Sequence, residues 1–277
     1  SFNYENVLCD TYSIFHDSYR IFICYILLEV VEIIWITGDT HGDWIHRVNM
    51  DSFPEQKEMT KDDYVIILGD FGIWRDSPQQ RWYLNWLEEK HFTTLFIDGN
   101  HENYDILDSY PVEEWHGGKV HFIKPSVIHL MRGQVFDIDG LKFFTFGGAA
   151  SHDISDGVLE IDDPRVKEWR DDPDKMYRIN HISWWEREMP NQNEMDEGIK
   201  NLAEHNNKVD FILTHCIASS TVALLSHGLY KPDKLTNYLE EIRCNVDYKR
   251  WLCGHYHDNK AITTKDIVLY EQIVRIV

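Results

Sequence analysis

The chain reads Ile33-Ile34-Trp35-Ile36-Thr37-Gly38-Asp39-Thr40-His41-Gly42 near its start. This stretch is an apolar run, typical of a buried β-strand, that passes directly into a turn carrying Asp39 and His41. An Asp-x-His pattern alone is weak, because such short patterns occur by chance in most proteins. The same plan recurs further along the chain, however, and the recurrence makes it informative.

Four other apolar runs end in side chains that commonly bind metals. They are Val65-Ile66-Ile67-Leu68-Gly69-Asp70, Leu95-Phe96-Ile97-Asp98-Gly99-Asn100-His101-Glu102, Phe211-Ile212-Leu213-Thr214-His215 and Trp251-Leu252-Cys253-Gly254-His255-Tyr256-His257. Four of the five strand ends have glycine at the turn, where backbone without Cβ can approach an ion closely. Strand ends that supply Asp, His and Asn predict a two-metal hydrolytic centre.

The chemistry of such centres explains these residue types. Two-metal phosphoesterases hold their ions roughly 3.5–4 Å apart, so that a hydroxide bridges the ions and both phosphoryl oxygens are clamped. One carboxylate must bridge the ions, and Asp70, second of the five, is the natural candidate. Imidazole suits Mn, Fe or Zn better than Mg or Ca. We therefore expect two divalent transition-metal ions, with Mn²⁺, Fe²⁺/Fe³⁺ and Zn²⁺ as the candidates.

Together these motifs resemble the calcineurin-like metallophosphoesterase superfamily, whose five blocks occur here in order between about residues 33 and 258. The resemblance implies an α/β (α+β) fold, in which a two-sheet mixed β-sandwich is flanked by helices in a four-layer architecture. By position, one metal site would consist of Asp39, His41, Asp70 and His257, and the other of Asp70, Asn100, His215 and His255. His101 takes the place of the family's histidine that contacts phosphate and helps to protonate the leaving group.

One block departs from the serine/threonine protein phosphatase branch. Ile73 and Trp74 stand where that branch has an Asp and an Arg that support the histidine and hold phosphate. Arg75, one residue displaced, could replace the arginine or be an ordinary surface residue. The departure favours a phosphoesterase for a small phosphorylated molecule or nucleotide. A phosphoprotein phosphatase is the alternative, and a non-catalytic scaffold is less expected because every ligand is present.

The amino-acid composition limits the classes of partner that we expect. Asp and Glu number 47 against 27 Lys and Arg, for a formal charge of −20, and such a field repels long nucleic acids. The five cysteines are scattered and form no CxxC pair, which makes a disulfide scaffold improbable and favours the cytoplasm. We expect no membrane partner, and the sequence does not indicate an oligomeric state.

The domain organisation predicted is an N-terminal extension over residues 1–32 and a single domain over 33–277. The extension contains an apolar run at 21–28, which is too short for a spanning helix of about 20 residues. We expect an extra packed element there, with a partner-binding arm or an artificial addition as alternatives.

Residues 152–197 are the least regular part of the predicted domain, and we expect them to form a lid or insertion. His152 either lines the site or is an ordinary loop residue. Trp184 and Trp185 either stack on a nucleobase or fix the loop to the core.

Elsewhere the patterns predict ordinary elements of an α/β protein. Apolar spacing predicts helices over 79–90, 193–206 and 234–243. Short strands are expected over 119–146, with a hairpin signal at Asp139-Gly140. Alternation over 262–277 predicts a terminal hairpin around Lys265-Asp266.

Overall fold

The structure is a computed structural model that describes residues 32–277. The predicted extension, with its apolar run at 21–28, lies outside the described residues except for Glu32. The strands of the described part are β1 (Ile34–Thr37), β2 (Tyr64–Leu68), β3 (Thr93–Ile97), β4 (Val112–Trp115), β5 (Gly118–Lys124), β6 (Val127–Leu130), β7 (Gln134–Ile138), β8 (Leu141–Phe146), β9 (Gly157–Leu159), β10 (Tyr177–Ile179), β11 (Lys208–Thr214), β12 (Asp247–Cys253), β13 (Lys260–Ala261), β14 (Asp266–Val268) and β15 (Ile273–Arg275). The α-helices are α1 (Trp44–Arg47), α2 (Pro78–Glu88), α3 (Tyr104–Leu107), α4 (Pro164–Trp169), α5 (Gln192–Glu204), α6 (Ser219–Leu225) and α7 (Lys234–Asn245), and 3₁₀ helices cover Pro54–Glu58 and Glu186–Glu188.

Most strands belong to two large mixed sheets. The first sheet has the order β15-β1-β2-β3-β6-β5-β4, and its central strands β1, β2, β3 and β6 are parallel. The second has the order β13-β14-β12-β11-β8-β7, with β14, β12, β11 and β8 parallel. Antiparallel strands close both edges of each sheet. Strands β9 and β10 form a separate parallel pair.

The apolar runs are continuous because the central strands are covered on both faces. Successive side chains point to opposite faces of a strand. In β2, Ile66 therefore joins the core between the sheets, whereas Ile67 packs beneath helices α1, α2 and α3. In β11, Leu213 joins the same inner core and Ile212 packs beneath α5, α6 and α7. The result is the predicted four-layer sandwich of helices, sheet, sheet and helices.

The predicted helices are present with small shifts of their ends. Helix α2 covers most of the range 79–90, and α5 and α7 correspond to 193–206 and 234–243. Each begins at a side-chain cap: Ser77, Asn191 and Asp233 accept a hydrogen bond from the first turn. Among residues 32–277, no helix is both long enough and apolar enough to cross a membrane.

The predicted C-terminal hairpin is wrong in its second half. Strands β13 and β14 do pair antiparallel, but the chain then leaves this sheet. Strand β15 joins the first sheet, where Arg275 lies opposite Trp35 of β1. Asn259 fixes the crossing, because its side-chain oxygen accepts hydrogen bonds from the backbone N–H groups of Tyr270 and Gln272.

A buried ion pair joins the two sheets near the ends of their central strands. Asp98, which follows β3, accepts hydrogen bonds from Arg132 Nε at 2.8 Å and Nη2 at 2.6 Å and from the Tyr104 hydroxyl at 2.9 Å. The Asp98 carbonyl accepts from Gly148 N, which follows β8 of the second sheet. The Tyr104 hydroxyl also lies 2.6 Å from the Gly99 carbonyl oxygen. This network therefore fixes the backbone immediately before Asn100.

We expect Asp98→Asn to lower the free energy of unfolding by about 3–5 kcal/mol at neutral pH, the usual cost of leaving one partner of a buried ion pair unmatched. Urea denaturation followed by tryptophan fluorescence would measure the loss. Asp137→Asn is the matched control, since Asp137 pairs with Lys142 at the surface, and its effect should stay within about 1 kcal/mol. Equal losses in the two variants would contradict the assigned role.

The difference between wild type and Asp98→Asn should also depend on pH. Burial alone would raise the pKa of Asp98, but Arg132 and His129 hold it well below the usual range. The stabilisation is therefore fully present above the unfolded carboxyl pKa of about 3.9 and is lost as the pH falls through the lower folded value. The difference should persist from pH 7 to about pH 4 and shrink below it.

Candidate metal centre

The carboxyl ends of five strands meet at one edge of the sandwich. In the first sheet, Asp39 lies two residues beyond the end of β1, Asp70 lies two residues beyond β2, and Asn100 lies three residues beyond β3. From the second sheet, His215 follows β11 directly and His255 lies two residues beyond β12. Open α/β sheets bind ligands at this edge, and here both sheets contribute side chains to the same place.

The first group of donor atoms comes from Asp39, His41 and His257. Asp39 Oδ2 lies 3.2 Å from His257 Nε2 and 4.0 Å from His41 Nε2. The two histidine Nε2 atoms are 3.0 Å apart. Asp70 adjoins this group, since its Oδ2 atom is 3.8 Å from His41 Nδ1. The structure thus brings together the four residues predicted for the first metal site.

The second group surrounds His215. Its Nε2 atom lies 3.4 Å from Asp70 Oδ1 and 3.2 Å from Asn100 Oδ1. The ring centre of His255 is 4.9 Å from that of His215. These are the four residues predicted for the second site, and Asp70 faces both groups through different oxygens. That position is the one a bridging carboxylate requires.

Asp39 also lies near His215, and the donor atoms of Asp39, Asp70 and His215 fall within 4.8 Å of one another. The nearest approach of Asp39 is to His215 Nδ1, at 3.7 Å. This nitrogen is already engaged, because it lies 2.8 Å from the Leu68 carbonyl, to which it donates when protonated. A metal-binding histidine commonly donates a hydrogen bond from the ring nitrogen that does not bind the metal, and this bond fixes its tautomer. It leaves His215 Nε2 directed at Asp70.

Four of the predicted ligands have left-handed backbone conformations, with φ between 44° and 67°: His41, Asp70, His255 and His257. Such conformations are uncommon outside glycine, cost about 1–3 kcal/mol each and cluster at functional sites. Hydrogen bonds fix them here. His41 N donates to the Asp70 carbonyl at 2.7 Å, and His255 N donates to Asp39 Oδ1 at 2.9 Å.

Glycine is required at two of the turns because the ligands pack against the backbone itself. A Cβ atom at Gly254 would overlap Asp39 Oδ1 and the Leu68 carbonyl. A Cβ atom at Gly69 would overlap the ring of His215. The glycines seen in the sequence therefore let the two sheets place their ligands in direct contact.

The electrostatics of this edge favour a cation. Burial opposes the charged form of His215, but Asp70 and Asp39 outweigh it and raise the pKa of His215 to about 10. Burial and the neighbouring His215 lower the pKa of His255 to about 3. Despite its burial, Asp70 has a pKa well below the usual range because of His215 and other histidines. The buried carboxylates thus favour positive charge in the cluster, which is the property expected of a metal-binding site.

The sequence of this protein matches one known family over most of its length. Residues 33–259 match calcineurin-like phosphoesterase. The chain belongs to this family. No individual curated protein is similar enough to the chain to match it.

His101, the predicted phosphate contact and proton donor, lies beside the predicted ligands. It lines a cavity of about 650 Å³ together with Asp70, Asn100, His255 and His257. Burial lowers the pKa of His101, and Asp70 partly opposes that effect. Its backbone N–H donates to Asp70 Oδ1 at 2.8 Å, so the predicted proton donor and the predicted bridging carboxylate are positioned together.

The predicted substrate-binding residues are placed differently from one another. His152 lines the cavity, with its ring centre 6.3 Å from that of His255. Trp184 is half-buried. Arg75 is exposed on the turn after Trp74.

Trp185 packs in the outer core of the first sheet with only 6% of its surface exposed, and its indole donates to Asp105. The nucleobase-stacking role of Trp185 is wrong on this placement, because core side chains cover the ring. Its alternative, fixing the loop to the core, agrees with the structure.

The block that departs from the protein phosphatase branch has a structural role here. Ile73 is buried in the core against helices α1–α3. Trp74 is 45% exposed, and its indole N–H donates to the His101 carbonyl at 2.9 Å. Neither side chain can bind phosphate as the Asp and Arg of that branch do, but Trp74 does hold the backbone of His101.

Glu102, for which the sequence indicated no role, fixes part of the site. Its buried carboxylate accepts hydrogen bonds from three successive backbone N–H groups, those of Phe71, Gly72 and Ile73. Glu102 therefore fixes the turn that follows Asp70. The position of Glu102 directly after Asn100-His101 was the only sequence signal for such a role. A glutamate at that position is equally typical of a metal ligand, so the signal did not indicate a structural role.

Arg178 is a second residue that the sequence did not single out from other scattered cations. It pairs with Asp153, which follows the cavity residue His152. Its positive charge contributes to the lowered pKa of His101. The 152–197 segment thus brings a guanidinium group near the site. Whether the segment closes as a lid stays a prediction.

We expect Gly254→Ala to weaken metal binding by about 10- to 100-fold, the usual effect of disturbing the groups that orient a ligand. The added Cβ would displace Asp39 from its position beside His257. Isothermal titration of the apoprotein with Mn²⁺ would measure the change. Gly140→Ala is the control: it strains a left-handed turn where a Cβ meets nothing within 4 Å, and it should keep full metal affinity. Unchanged affinity in Gly254→Ala would contradict this account of the turn.

Proposed function

We propose that this protein is a dinuclear-metal-dependent phosphoesterase that acts on a small phosphorylated molecule or nucleotide. The observation that carries the proposal is the position of Asp70, whose two oxygens face two separate groups of histidine, carboxylate and amide donors. Both groups border the cavity that contains His101. A ligand set of this geometry suits two ions that share one carboxylate.

The donor atoms support transition metals. Among the predicted ligands, four are histidines, two are aspartates and one is an asparagine. Imidazole favours Mn, Fe or Zn over Mg and Ca. When bound, such ions would polarise the phosphoryl oxygens and lower the pKa of a water molecule at the site.

The remaining chemistry belongs to the chain itself. His101 lies at the cavity wall, where its imidazole can give a proton to the leaving oxygen of a bound ester. Trp74 holds the His101 carbonyl, and Glu102 holds the turn after Asp70. These contacts keep the proton donor and the bridging carboxylate in fixed relative positions, as efficient catalysis requires.

The size and charge of the protein support a small substrate. The cavity of about 650 Å³ is within the range of small-molecule sites. The formal charge of −20 disfavours a long polyanion. A phosphoprotein substrate is less well supported, because buried Ile73 and exposed Trp74 replace the phosphate-holding pair of that branch. We also propose a cytoplasmic location, in keeping with the free thiols of Cys216, Cys244 and Cys253.

Two variants would test this function together. Purified protein should contain up to two transition ions per chain, and it should hydrolyse alkyl and aryl phosphates in Mn²⁺ but not after chelation. Asp70→Asn should lose both metals and all activity. His101→Ala should keep its metals and lose about 10²–10⁴-fold in kcat on an alkyl phosphate, the usual contribution of a general acid.

The leaving group provides the control for His101. An activated aryl phosphate scarcely needs protonation, so His101→Ala should lose much less on p-nitrophenyl phosphate than on an alkyl phosphate. An unchanged kcat on the alkyl phosphate would contradict the acid role. Metal-free protein that Mn²⁺ does not activate on any ester would contradict the proposed function as a whole.

A further inference from the structure

The cavity beside the metal centre has a second wall that the proposed reaction does not use. This wall comes from helix α6, from the loop between α6 and α7 and from the residue after His255. Its members include Val222, Leu229, Tyr230, Lys231, Pro232, Asp233 and Tyr256. Most of these side chains are apolar or aromatic, whereas the predicted metal ligands and His101 line other parts of the same cavity.

Two large side chains of this loop are unusually exposed. Leu229 is 82% exposed and Tyr230 is 57% exposed. Apolar side chains that stand together at the mouth of a cavity commonly mark a binding surface. They occupy fixed positions, since Tyr230 N donates to Ser226 Oγ at 3.1 Å and Leu229 N donates to the Ser226 carbonyl at 3.1 Å.

The aromatic surface begins at a metal ligand. The ring centre of Tyr256 is 5.0 Å from that of His255, and the ring of Tyr230 lies nearly parallel to that of Tyr256, at 19° and 6.2 Å. Tyr256 packs on the core of the second sheet, and its hydroxyl accepts a weak hydrogen bond from Ile217 N at 3.4 Å. It is therefore a rigid base for the more exposed ring of Tyr230.

We propose that Tyr230 and Tyr256 form a binding subsite for a flat aromatic group, and that the substrate is a phosphate ester of a nucleoside. This inference rests on the proposed phosphoesterase function and specifies its substrate class. The phosphate would lie against the metal ligands and His101, the sugar would cross the cavity, and the base would stack on Tyr230. Stacking on an aromatic side chain accepts any base, because every base has a π-face.

The subsite differs from the one predicted from the sequence. Trp185 is enclosed in the core, and Trp184 is not among the residues that line this cavity. Tyr230 and Tyr256 do line it, on the side that adjoins His255. The aromatic surface therefore comes from the α6–α7 loop and from the turn after β12, and not from the 152–197 segment.

The test compares two substrates that share a phosphorylated ribose and differ only in the base. Wild-type protein in Mn²⁺ should have a higher kcat/KM for adenosine 5′-monophosphate than for ribose 5-phosphate. Tyr230→Ala should raise the KM for the nucleotide by roughly fivefold or more, the lower end of base-stacking effects, with little change in kcat. The same variant should leave ribose 5-phosphate kinetics unchanged.

Two further variants act as controls. Tyr230→Phe keeps the ring and should behave as wild type. Trp82→Ala removes an aromatic side chain of the same 57% exposure from helix α2, outside the cavity, and should affect neither substrate. An equal effect of Tyr230→Ala on both substrates would mean that the loop only supports the site, and it would overturn the inference.

Failure of the inference can be distinguished from failure of the proposed function. Wild-type activity on both sugar phosphates without preference for the nucleotide would overturn the aromatic subsite and leave the phosphoesterase intact. Absence of activity on every ester would overturn the function. In that case, saturation-transfer NMR with adenosine tests the aromatic subsite. Adenosine binding to the wild type that is lost in Tyr230→Ala would support the subsite. Equal binding to both proteins, or binding to neither, would overturn it.

Discussion

The structure depends on the close burial of two carboxylates, Asp39 and Asp70, each about 1% exposed and with oxygens within 4.8 Å of each other. Like charges in a poorly hydrated site are costly unless a cation compensates them. In the protein alone, His215 supplies part of that charge, as its raised pKa shows. Two divalent ions would satisfy the cluster more fully. The candidate metal centre thus follows from where the two central strands place their terminal aspartates.

That placement is costly to maintain, and much of the surrounding structure maintains it. Asp70 has a left-handed backbone; Glu102 holds the turn that follows it, and the N–H of His101 holds its carboxylate. Asp98 and Arg132 fix the neighbouring strand end and connect it to the second sheet. A buried ion pair of this kind does more for position than for net stability. The edge that carries the candidate site is therefore also an edge where hydrogen bonds join the two sheets.

The sequence predicted the strands and the grouping of the candidate ligands because both leave local signals. A run such as Val65–Leu68 is apolar on both faces, and the residue type that follows it reports the chemistry. The packing of residues against parts of the chain that are distant in sequence left no such local signal. Nothing in the sequence 262–277 distinguishes a hairpin from a strand that crosses to the other sheet. The aromatic pair Trp184-Trp185 suggested base stacking only because of its residue type. In the fold, tertiary contacts enclose Trp185. Tyr230 lies 26 residues before Tyr256 in the chain, and only folding stacks the two rings.

These features support one central claim: we propose that the two donor groups bind two ions that share Asp70. Anomalous diffraction from crystals soaked in Mn²⁺ tests that claim most directly, since it locates each ion without reference to activity. We predict two peaks about 3.5–4 Å apart, with Asp70 between them, His41 and His257 beside one peak and His215 and His255 beside the other. A single peak, or two peaks with no shared carboxylate, would contradict the account.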